Sequence, residues 1–145
     1  MLEKNKKNNN KYGITVLYVD DDKTMLDNFY RLYCPYFNIY ITDSTEHAKS
    51  ILSTQDIHII ISDQRMPGIT GVEFFRSILE KYPDPIRILL TGFTEIDVII
   101  NAINIGHIYQ FIRKPYLFME MKKILLGAGE IYQMRKNKKY NLNEI

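Results

Sequence analysis

Residues 14–33 have the sequence ITVLYVDDDKTMLDNFYRLY, which contains one complete strand–helix unit. Its first six residues are mainly apolar and β-branched, as in a parallel strand that helices cover on both faces. The spacing of the apolar residues then becomes helical, with Leu26, Phe29 and Tyr33 on one face. Asp22 is placed to cap this helix. The stretch therefore predicts a strand, a turn rich in carboxylates and an amphipathic helix.

The same alternation recurs four more times along the chain. The predicted strands are residues 14–19, 37–41, 57–62, 86–91 and 109–112. The intervening apolar stripes predict these core positions: Met25, Leu26, Phe29, Leu32, Tyr33, Ala48, Ile51, Leu52, Val72, Phe75, Leu79, Ile96, Ile99, Ile100, Ile103, Leu117, Met121, Ile124, Leu125 and Ala128. Ser44 and Thr94 are predicted to cap the second and fourth helices. The alternation predicts an α/β fold of the flavodoxin-like class: a (βα)5, doubly wound, five-stranded parallel sheet.

Composition and length limit the protein to one ordinary domain. The chain has 145 residues, of which 46% are hydrophobic, enough for one core and too few for two. Its one cysteine, Cys34, cannot form an internal disulfide, and no apolar run is long enough for a membrane span, so a cytoplasmic location is expected. Residues 1–11 contain four Lys and one Glu, and residues 122–145 contain six basic and two acidic residues. Residues 12–121 between them therefore have a net charge of −5.

The ends of the chain differ from its body. Residues 1–11, with the run KNKKNNNK, have little to bury and are predicted to be a disordered arm. Residues 12–129 are predicted to be the ordered domain. Gly127 and Gly129 each cost a helix roughly 1 kcal/mol relative to Ala, so residues 130–145 are assigned to a helical extension or linker.

Polar side chains follow four of the predicted strands where those strands end. Asp20 and Asp21 come after the first strand, Asp63 after the third, Thr91 at the end of the fourth and Lys114 after the fifth. In an open parallel sheet, ligands bind outside the carboxyl ends of the strands. Three carboxylates at one place repel one another, and a hard divalent cation such as Mg²⁺ offsets that repulsion. The sequence therefore predicts a magnesium site at this edge.

These residue types also suit phosphoryl transfer. Asp63 supplies a nucleophilic carboxylate, while Lys114 and the Thr91 hydroxyl can contact the phosphoryl oxygens. Mg²⁺ and Lys114 together cancel the charge of the three carboxylates, so an anionic phosphoryl group can enter. A cis peptide bond between Lys114 and Pro115 would help to direct the lysine toward the site.

The sequence resembles the receiver domains of two-component response regulators, which have a CheY-like fold. The resemblance covers residues 14–127 and lies in four motifs in order: ITVLYVDDD, IIISDQRMPGITGVEF, ILLTGFT and YQFIRKP. It implies that Asp63 is phosphorylated, that Asp20, Asp21, Asp63 and the backbone carbonyl of Arg65 bind Mg²⁺, and that Lys114 is the lysine of the family pattern. It also implies that Thr91 and Phe111 form a switch.

The resemblance extends to partners. It implies a sensor histidine kinase as phosphoryl donor and a homodimer or output contact through the fourth helix, the fifth strand and the fifth helix. The motifs are similar to those of receivers joined to cyclic-di-GMP phosphodiesterase or hydrogenase-type transcriptional output modules. An output domain after the C-terminus is therefore expected. Membrane binding and direct nucleic-acid binding by this domain are not expected.

Two alternatives remain open. VDDDKTML also fits the Asp-x-Asp-x-Thr motif of haloacid dehalogenase-like phosphatases, with Asp20, Asp22 and Thr24 in its positions. That class needs further metal-binding acids after Lys114, and the segment SDQRMPG has no role in it. A receiver that docks partners without taking phosphate is the other alternative. The favoured interpretation is a signalling domain that catalyses only its own phosphorylation and dephosphorylation.

Overall fold

The computed structural model describes residues 11–92 and 107–144, with side-chain environments as far as residue 137. Its elements follow the predicted alternation. In chain order they are β1 (Thr15–Val19), α1 (Lys23–Tyr33), β2 (Asn38–Thr42), α2 (Thr45–Thr54), β3 (Ile59–Asp63), α3 (Gly71–Ile78), β4 (Ile86–Thr91), β5 (Ile108–Arg113) and the C-terminal helix (Phe118–Glu144).

The strands form one parallel sheet in the order β2-β1-β3-β4-β5. The order reverses beside β1, so β1 and β3 are neighbours whose connections leave on opposite sides. A doubly wound sheet of this kind places its ligand site outside the carboxyl ends of the strands at that reversal. The predicted α/β class and five-stranded parallel sheet are therefore confirmed. At the reversal, Asp20 directly follows β1 and Asp63 is the last residue of β3.

Helices cover the sheet on both faces, which explains the continuous apolar runs in the strands. One core contains alternate residues of β1, including Val16 and Tyr18, packed with α1 and the C-terminal helix. The other core contains Leu17 and Val19 with residues of α2 and α3. Because successive strand residues point to opposite faces, Tyr18 and Asp20 share the face that α1 covers.

The buried faces of the helices differ in part from the predicted ones. Leu32 and Leu117 are exposed, and α3 buries Phe74 and Ile78 in addition to the predicted Phe75. The predicted fourth helix, with its cap at Thr94, lies outside the described residues. Strand boundaries differ from the predicted ones by at most two residues, and β4 is as predicted.

The C-terminal helix continues without a break through Gly127 and Gly129. Gly129 is buried, and a Cβ atom added there would lie 2.5 Å from Cδ1 of Ile14. Glycine lowers the helix propensity at this position, but it allows the helix to pack closely on Ile14, the residue before β1. Within the described residues, none of the helices combines the length and apolar character that crossing a bilayer requires.

Candidate functional site at the carboxyl edge of the sheet

The carboxyl edge of the sheet brings the predicted site residues together through strand geometry. Asp63 and Thr91 are the last residues of β3 and β4, and backbone bonds fix the residues just beyond β1 and β5. The amide N of Asp20 donates to the carbonyl O of Thr42 over 3.1 Å, and the amide N of Lys114 donates to the carbonyl O of Thr91 over 2.8 Å. Each functional side chain is thus carried on backbone that the sheet holds in place.

Asp20, Asp21 and Asp63 form an acidic cluster in which one oxygen of each carboxylate lies within 4.8 Å of the others. Asp20 is 1% exposed and Asp63 5% exposed, whereas Asp21 is open to solvent. Carboxylate oxygens at this spacing, two of them buried, match the ligand chemistry that Mg²⁺ prefers. The three predicted side-chain ligands therefore lie where a single cation can contact all of them.

Lys114 reaches into this cluster from the segment after β5. Its Nζ lies 2.6 Å from Oδ1 of Asp63, in a charge-assisted hydrogen bond. The Lys114–Pro115 peptide bond is cis, as the sequence analysis expected. Oδ1 of Asp63 is therefore the oxygen that accepts from the lysine.

The carboxylate of Asp20 is held at both oxygens. The hydroxyl of Tyr18 donates to Oδ2 over 2.5 Å, and the backbone N–H of Asp22 donates to Oδ1 over 3.0 Å. The contact between Tyr18 and Asp20 was not predicted, because Tyr18 was assigned to an apolar strand. The period of two residues was the available signal, because it puts Tyr18 and Asp20 on one face.

Burial makes ionisation of Asp20 and Asp63 unfavourable. The pKa of Asp63 is raised chiefly by burial and further by the charges of Asp20 and Asp21, while Lys114 lowers it. The pKa of Asp20 is also raised, chiefly by burial, against the lowering effect of its hydrogen bonds from Tyr18 and Asp22. Three carboxylates and one lysine carry a net charge near −2, and a divalent cation neutralises that charge.

The loop after Asp63 is built to keep that residue in place. The side chain of Gln64 accepts a hydrogen bond from the backbone N–H of Val72 over 3.0 Å, and the N–H of Gly71 donates to the carbonyl O of Gln64 over 3.1 Å. Thr70 and Glu73 form a capping box at the start of α3. The T-x-x-E spacing was visible in the sequence, although no cap had been predicted there.

Three other predicted residues lie around the cluster. The side chain of Arg65 is exposed, Thr91 is buried at the end of β4, and Phe111 is 39% exposed on β5. Phe111 lies opposite Leu89 in the β4–β5 register, two residues before Thr91. Because side chains two residues apart share a face, Thr91, Leu89 and Phe111 occupy one side of the sheet.

The comparisons with known proteins identify the family of the chain. The family model of the response regulator receiver domain matches residues 16–126. The chain belongs to the response regulator receiver family. The matched range begins in β1, ends in the C-terminal helix and contains Asp20, Asp21, Asp63, Thr91 and Lys114. This protein is therefore a receiver domain of two-component signalling.

Curated relatives are longer regulators. The chain is 39% identical over 103 residues to the hydrogenase transcriptional regulatory protein HoxA of Cupriavidus necator, covering 71% of this chain and 21% of that protein. It is 31% identical over 122 residues to HoxA of Bradyrhizobium diazoefficiens, covering 84% of this chain and 25% of that protein. The chain thus spans about a fifth to a quarter of the length of these relatives.

Solved structures show the same fold. The signal receiver domain of an HD domain-containing protein from Pseudomonas fluorescens Pf-5 superposes with a TM-score of 0.79 at 28% identity, covering 86% of this chain and 93% of that one. The likeness therefore extends over most of both chains.

Proposed function

We propose that this receiver takes a phosphoryl group onto Asp63 in a reaction that depends on Mg²⁺. The observation that carries the proposal is the pairing of a buried Asp63 carboxylate with Lys114 at 2.6 Å, within the cluster it forms with Asp20 and Asp21. A structural carboxylate would need only the lysine. The two further acids raise the pKa of Asp63 and make its ionised state more costly, which is explained if the cluster holds a cation.

The phosphoryl step needs a nucleophile and charge neutralisation. Oδ2 of Asp63 attacks the phosphorus atom of a phosphohistidine, the P–O bond forms as the P–N bond breaks, and the imidazole leaves with its bonding pair and takes a proton. Lys114 then exchanges part of its contact with Asp63 for a contact with a phosphoryl oxygen. Water later attacks the acyl phosphate, which returns Asp63 as a carboxylate and releases phosphate.

The metal would be held by the carboxylates of Asp20, Asp21 and Asp63 together with the backbone carbonyl of Arg65. When bound, it would supply positive charge that neutralises the phosphoryl oxygens. The protein contributes the rest: it fixes the carboxylates on sheet-anchored backbone and directs Lys114 to the nucleophile.

The phosphatase alternative is disfavoured by what Asp20 and Asp22 contact. In that mechanism Asp20 is the nucleophile and Asp22 the acid–base group. Both oxygens of Asp20 accept hydrogen bonds and its side chain is almost fully buried. The Asp22 carboxylate accepts from the N–H groups of Thr24 and Met25 as the cap of α1. Neither residue is disposed for that chemistry.

The phosphoryl donor is proposed to be a sensor histidine kinase, since receiver domains of response regulators interact with such kinases. A groove beside Lys114 is suited to the donor, because it is lined by the lysine that contacts Asp63. It is lined by Asp22, Met25, Asn28, Phe29, Leu32, Tyr33, Lys114, Pro115, Tyr116 and Phe118. An incoming kinase segment would cover the exposed Leu32 at its rim.

The output is proposed to be a change on the β5 side of the sheet. A phosphoryl oxygen would draw the Thr91 hydroxyl toward Asp63, and Phe111, on the same face, would rotate inward from its exposed position. This movement would alter the surface that the fourth predicted helix, β5 and the C-terminal helix are expected to form. A homodimer or an output domain, of the transcriptional kind that the names of the HoxA relatives indicate, would respond to it.

Labelling with a small donor tests the acceptor. Wild type is incubated with ³²P-acetyl phosphate with and without Mg²⁺, beside Asp63→Asn and the matched control Asp27→Asn, an exposed acid on α1. We expect Mg²⁺-dependent labelling of wild type and of Asp27→Asn, and none of Asp63→Asn. Labelling of Asp63→Asn at the wild-type rate would refute the proposal.

The switch is tested by dimer affinity. Sedimentation of wild type and Thr91→Ala is compared with and without beryllofluoride, a stable mimic of the phosphoryl group. We expect the mimic to tighten association of wild type and to have a smaller effect on Thr91→Ala. An equal effect in both proteins would show that Thr91 does not transmit the change.

A further inference from the structure

Tyr18 is a core residue with one polar contact, and that contact is to the acidic cluster. Its side chain is fully buried and its hydroxyl donates to Oδ2 of Asp20 over 2.5 Å. A phenylalanine would fill the same space in the core. The hydroxyl is therefore unnecessary for packing, and its partner is a carboxylate of the proposed metal site.

The ring of Tyr18 is held firmly enough to position that hydroxyl. Its centroid lies 4.7 Å from that of Phe29, and Phe29 lies 4.7 Å from the ring of Tyr33 in turn. Both partners belong to α1 and are buried. The tyrosine is thus fixed by the sheet through its backbone and by α1 through its ring.

With the Asp22 N–H on the other oxygen, Asp20 receives one hydrogen bond at each end of its carboxylate. Rotation about the bond to the carboxyl carbon is restrained from both sides. A carboxylate oxygen can accept about two hydrogen bonds or ligand bonds, so each Asp20 oxygen keeps capacity for a cation. The carboxylate is consequently oriented before a metal arrives.

We propose that Tyr18 is a positioning residue for magnesium binding, acting through Asp20. This inference rests on the proposed function, because it assumes that Asp20 is a metal ligand. Groups that orient a ligating carboxylate change metal affinity by about 10- to 100-fold when they are removed. Tyr18 is expected to affect how tightly Mg²⁺ binds and to have little effect on the transfer step once the metal is bound.

The variant Tyr18→Phe isolates the hydroxyl, since it keeps the ring and its stack on Phe29. Tyr33→Phe is the matched control: Tyr33 is also buried and belongs to the same stack, but its hydroxyl donates to the backbone O of Phe118 over 3.1 Å. Both variants lose one buried hydroxyl. They differ in whether that hydroxyl contacts the acidic cluster.

The experiment measures Mg²⁺ affinity by calorimetry and, separately, the rate of acetyl phosphate labelling as a function of Mg²⁺ concentration. For Tyr18→Phe we expect a dissociation constant at least about 10-fold higher, and a labelling rate within about two-fold of wild type at saturating Mg²⁺. For Tyr33→Phe we expect wild-type affinity. Circular dichroism melts confirm that each variant is folded at the temperature used.

Three results would overturn the inference. Unchanged Mg²⁺ affinity and an unchanged labelling rate in Tyr18→Phe would make Tyr18 a packing residue only. Equal weakening in both variants would assign the effect to the aromatic stack. A lower labelling rate of Tyr18→Phe at saturating Mg²⁺, with unchanged affinity, would give the hydroxyl a role in transfer. Failure of the proposed function looks different: Asp20→Ala would then bind Mg²⁺ like wild type.

Discussion

The two ends of the sheet contain the same kinds of side chain in different surroundings. At the carboxyl edge, the Tyr18 hydroxyl donates to Asp20 over 2.5 Å. At the amino edge, the Tyr132 hydroxyl donates to Oδ1 of Asp56 over 3.3 Å. Asp20 is 1% exposed, whereas the side chain of Asp56 is 83% exposed. The tyrosine is buried at both ends, whereas its aspartate partner is buried at one end and solvated at the other.

The lysine–aspartate pairs differ in the same way. Lys114 lies 2.6 Å from Asp63, whose side chain is 7% exposed, while Lys136 lies 3.8 Å from Asp84, whose side chain is 27% exposed. Exposed ion pairs are screened and contribute little, whereas a buried carboxylate must be compensated by its neighbours. Burial, more than residue type, therefore distinguishes the candidate reactive site from an ordinary surface contact.

The largest contrast is expected between the two lysines. Lys114→Ala should lower the initial rate of acetyl phosphate labelling by about 100-fold, because it removes a charged donor to the phosphoryl oxygens. Lys136→Ala should label at the wild-type rate. Calorimetry should show that Lys114→Ala still binds Mg²⁺, since a lysine contacts the anion rather than the cation. Similar labelling rates for the two variants would show that the lysine at the carboxyl edge has no special role in phosphorylation.

The two edges also differ in how they respond to a methyl group on a glycine. A Cβ at Gly71 would lie 2.5 Å from the backbone O of Asp63 and 2.7 Å from Cδ1 of Leu89. Gly71→Ala should destabilise the fold by about 2 to 3 kcal/mol, because backbone cannot yield. At Gly129 the nearest atoms belong to the Ile14 side chain, which can move, and helix propensity returns roughly 1 kcal/mol.

Thermal unfolding followed by circular dichroism checks this pair. At roughly 3 °C per kcal/mol for a domain of this size, Gly71→Ala should melt about 6 to 9 °C below wild type. Gly129→Ala should remain within about 3 °C of wild type, which corresponds to roughly 1 kcal/mol. A larger loss at Gly129 would place the tighter packing at the amino edge.

A smaller effect is expected from charge removal. The pKa of Asp63 is raised by burial, so in the pH range between its ordinary and its raised pKa the native state binds the proton more than the unfolded chain does. Ionised Asp63 therefore destabilises the fold at neutral pH, and the penalty fades as pH falls through the raised pKa. Without Mg²⁺, Asp63→Asn should raise Tm at pH 7 by a few degrees, each kcal/mol adding roughly 3 °C.

The same measurement at acid pH provides the sign test. The stabilisation by Asp63→Asn should shrink as pH falls through the raised pKa of Asp63, because the wild-type carboxyl then takes up a proton itself. Asp56→Asn, at the solvated edge, should leave Tm unchanged at both pH values. A lower Tm for Asp63→Asn at pH 7 would mean that the bond to Lys114 outweighs the burial of the charge.

Much of this fold could be predicted because its signals are local. The strand periods, the Asp22 and Ser44 caps and the positions of polar residues after the strands are all properties of short segments. The exposed Leu32 could not be predicted, because a helical stripe does not say how far the covering elements extend. The C-terminal helix continues through Gly127 and Gly129 because tertiary packing outweighs local propensity.

The site was predictable in its members and less so in its contacts. Parallel strands bring their carboxyl ends together, so the grouping of Asp20, Asp21 and Asp63 follows from the topology. The hydrogen bond from Tyr18 depends on which way a buried ring is turned by Phe29 on another element. The period of two residues shows that Tyr18 and Asp20 share a face, but it does not show which way the ring of Tyr18 is turned.

The central claim, that Asp63 is the phosphoryl acceptor, is tested most directly by locating the acyl phosphate. Wild type is phosphorylated with acetyl phosphate and Mg²⁺, reduced with borohydride to convert the modified aspartate to homoserine, and analysed by peptide mass spectrometry. The account predicts homoserine at position 63 and unmodified aspartate at positions 20, 21 and 56. Homoserine at position 20, or no conversion at position 63, would contradict it.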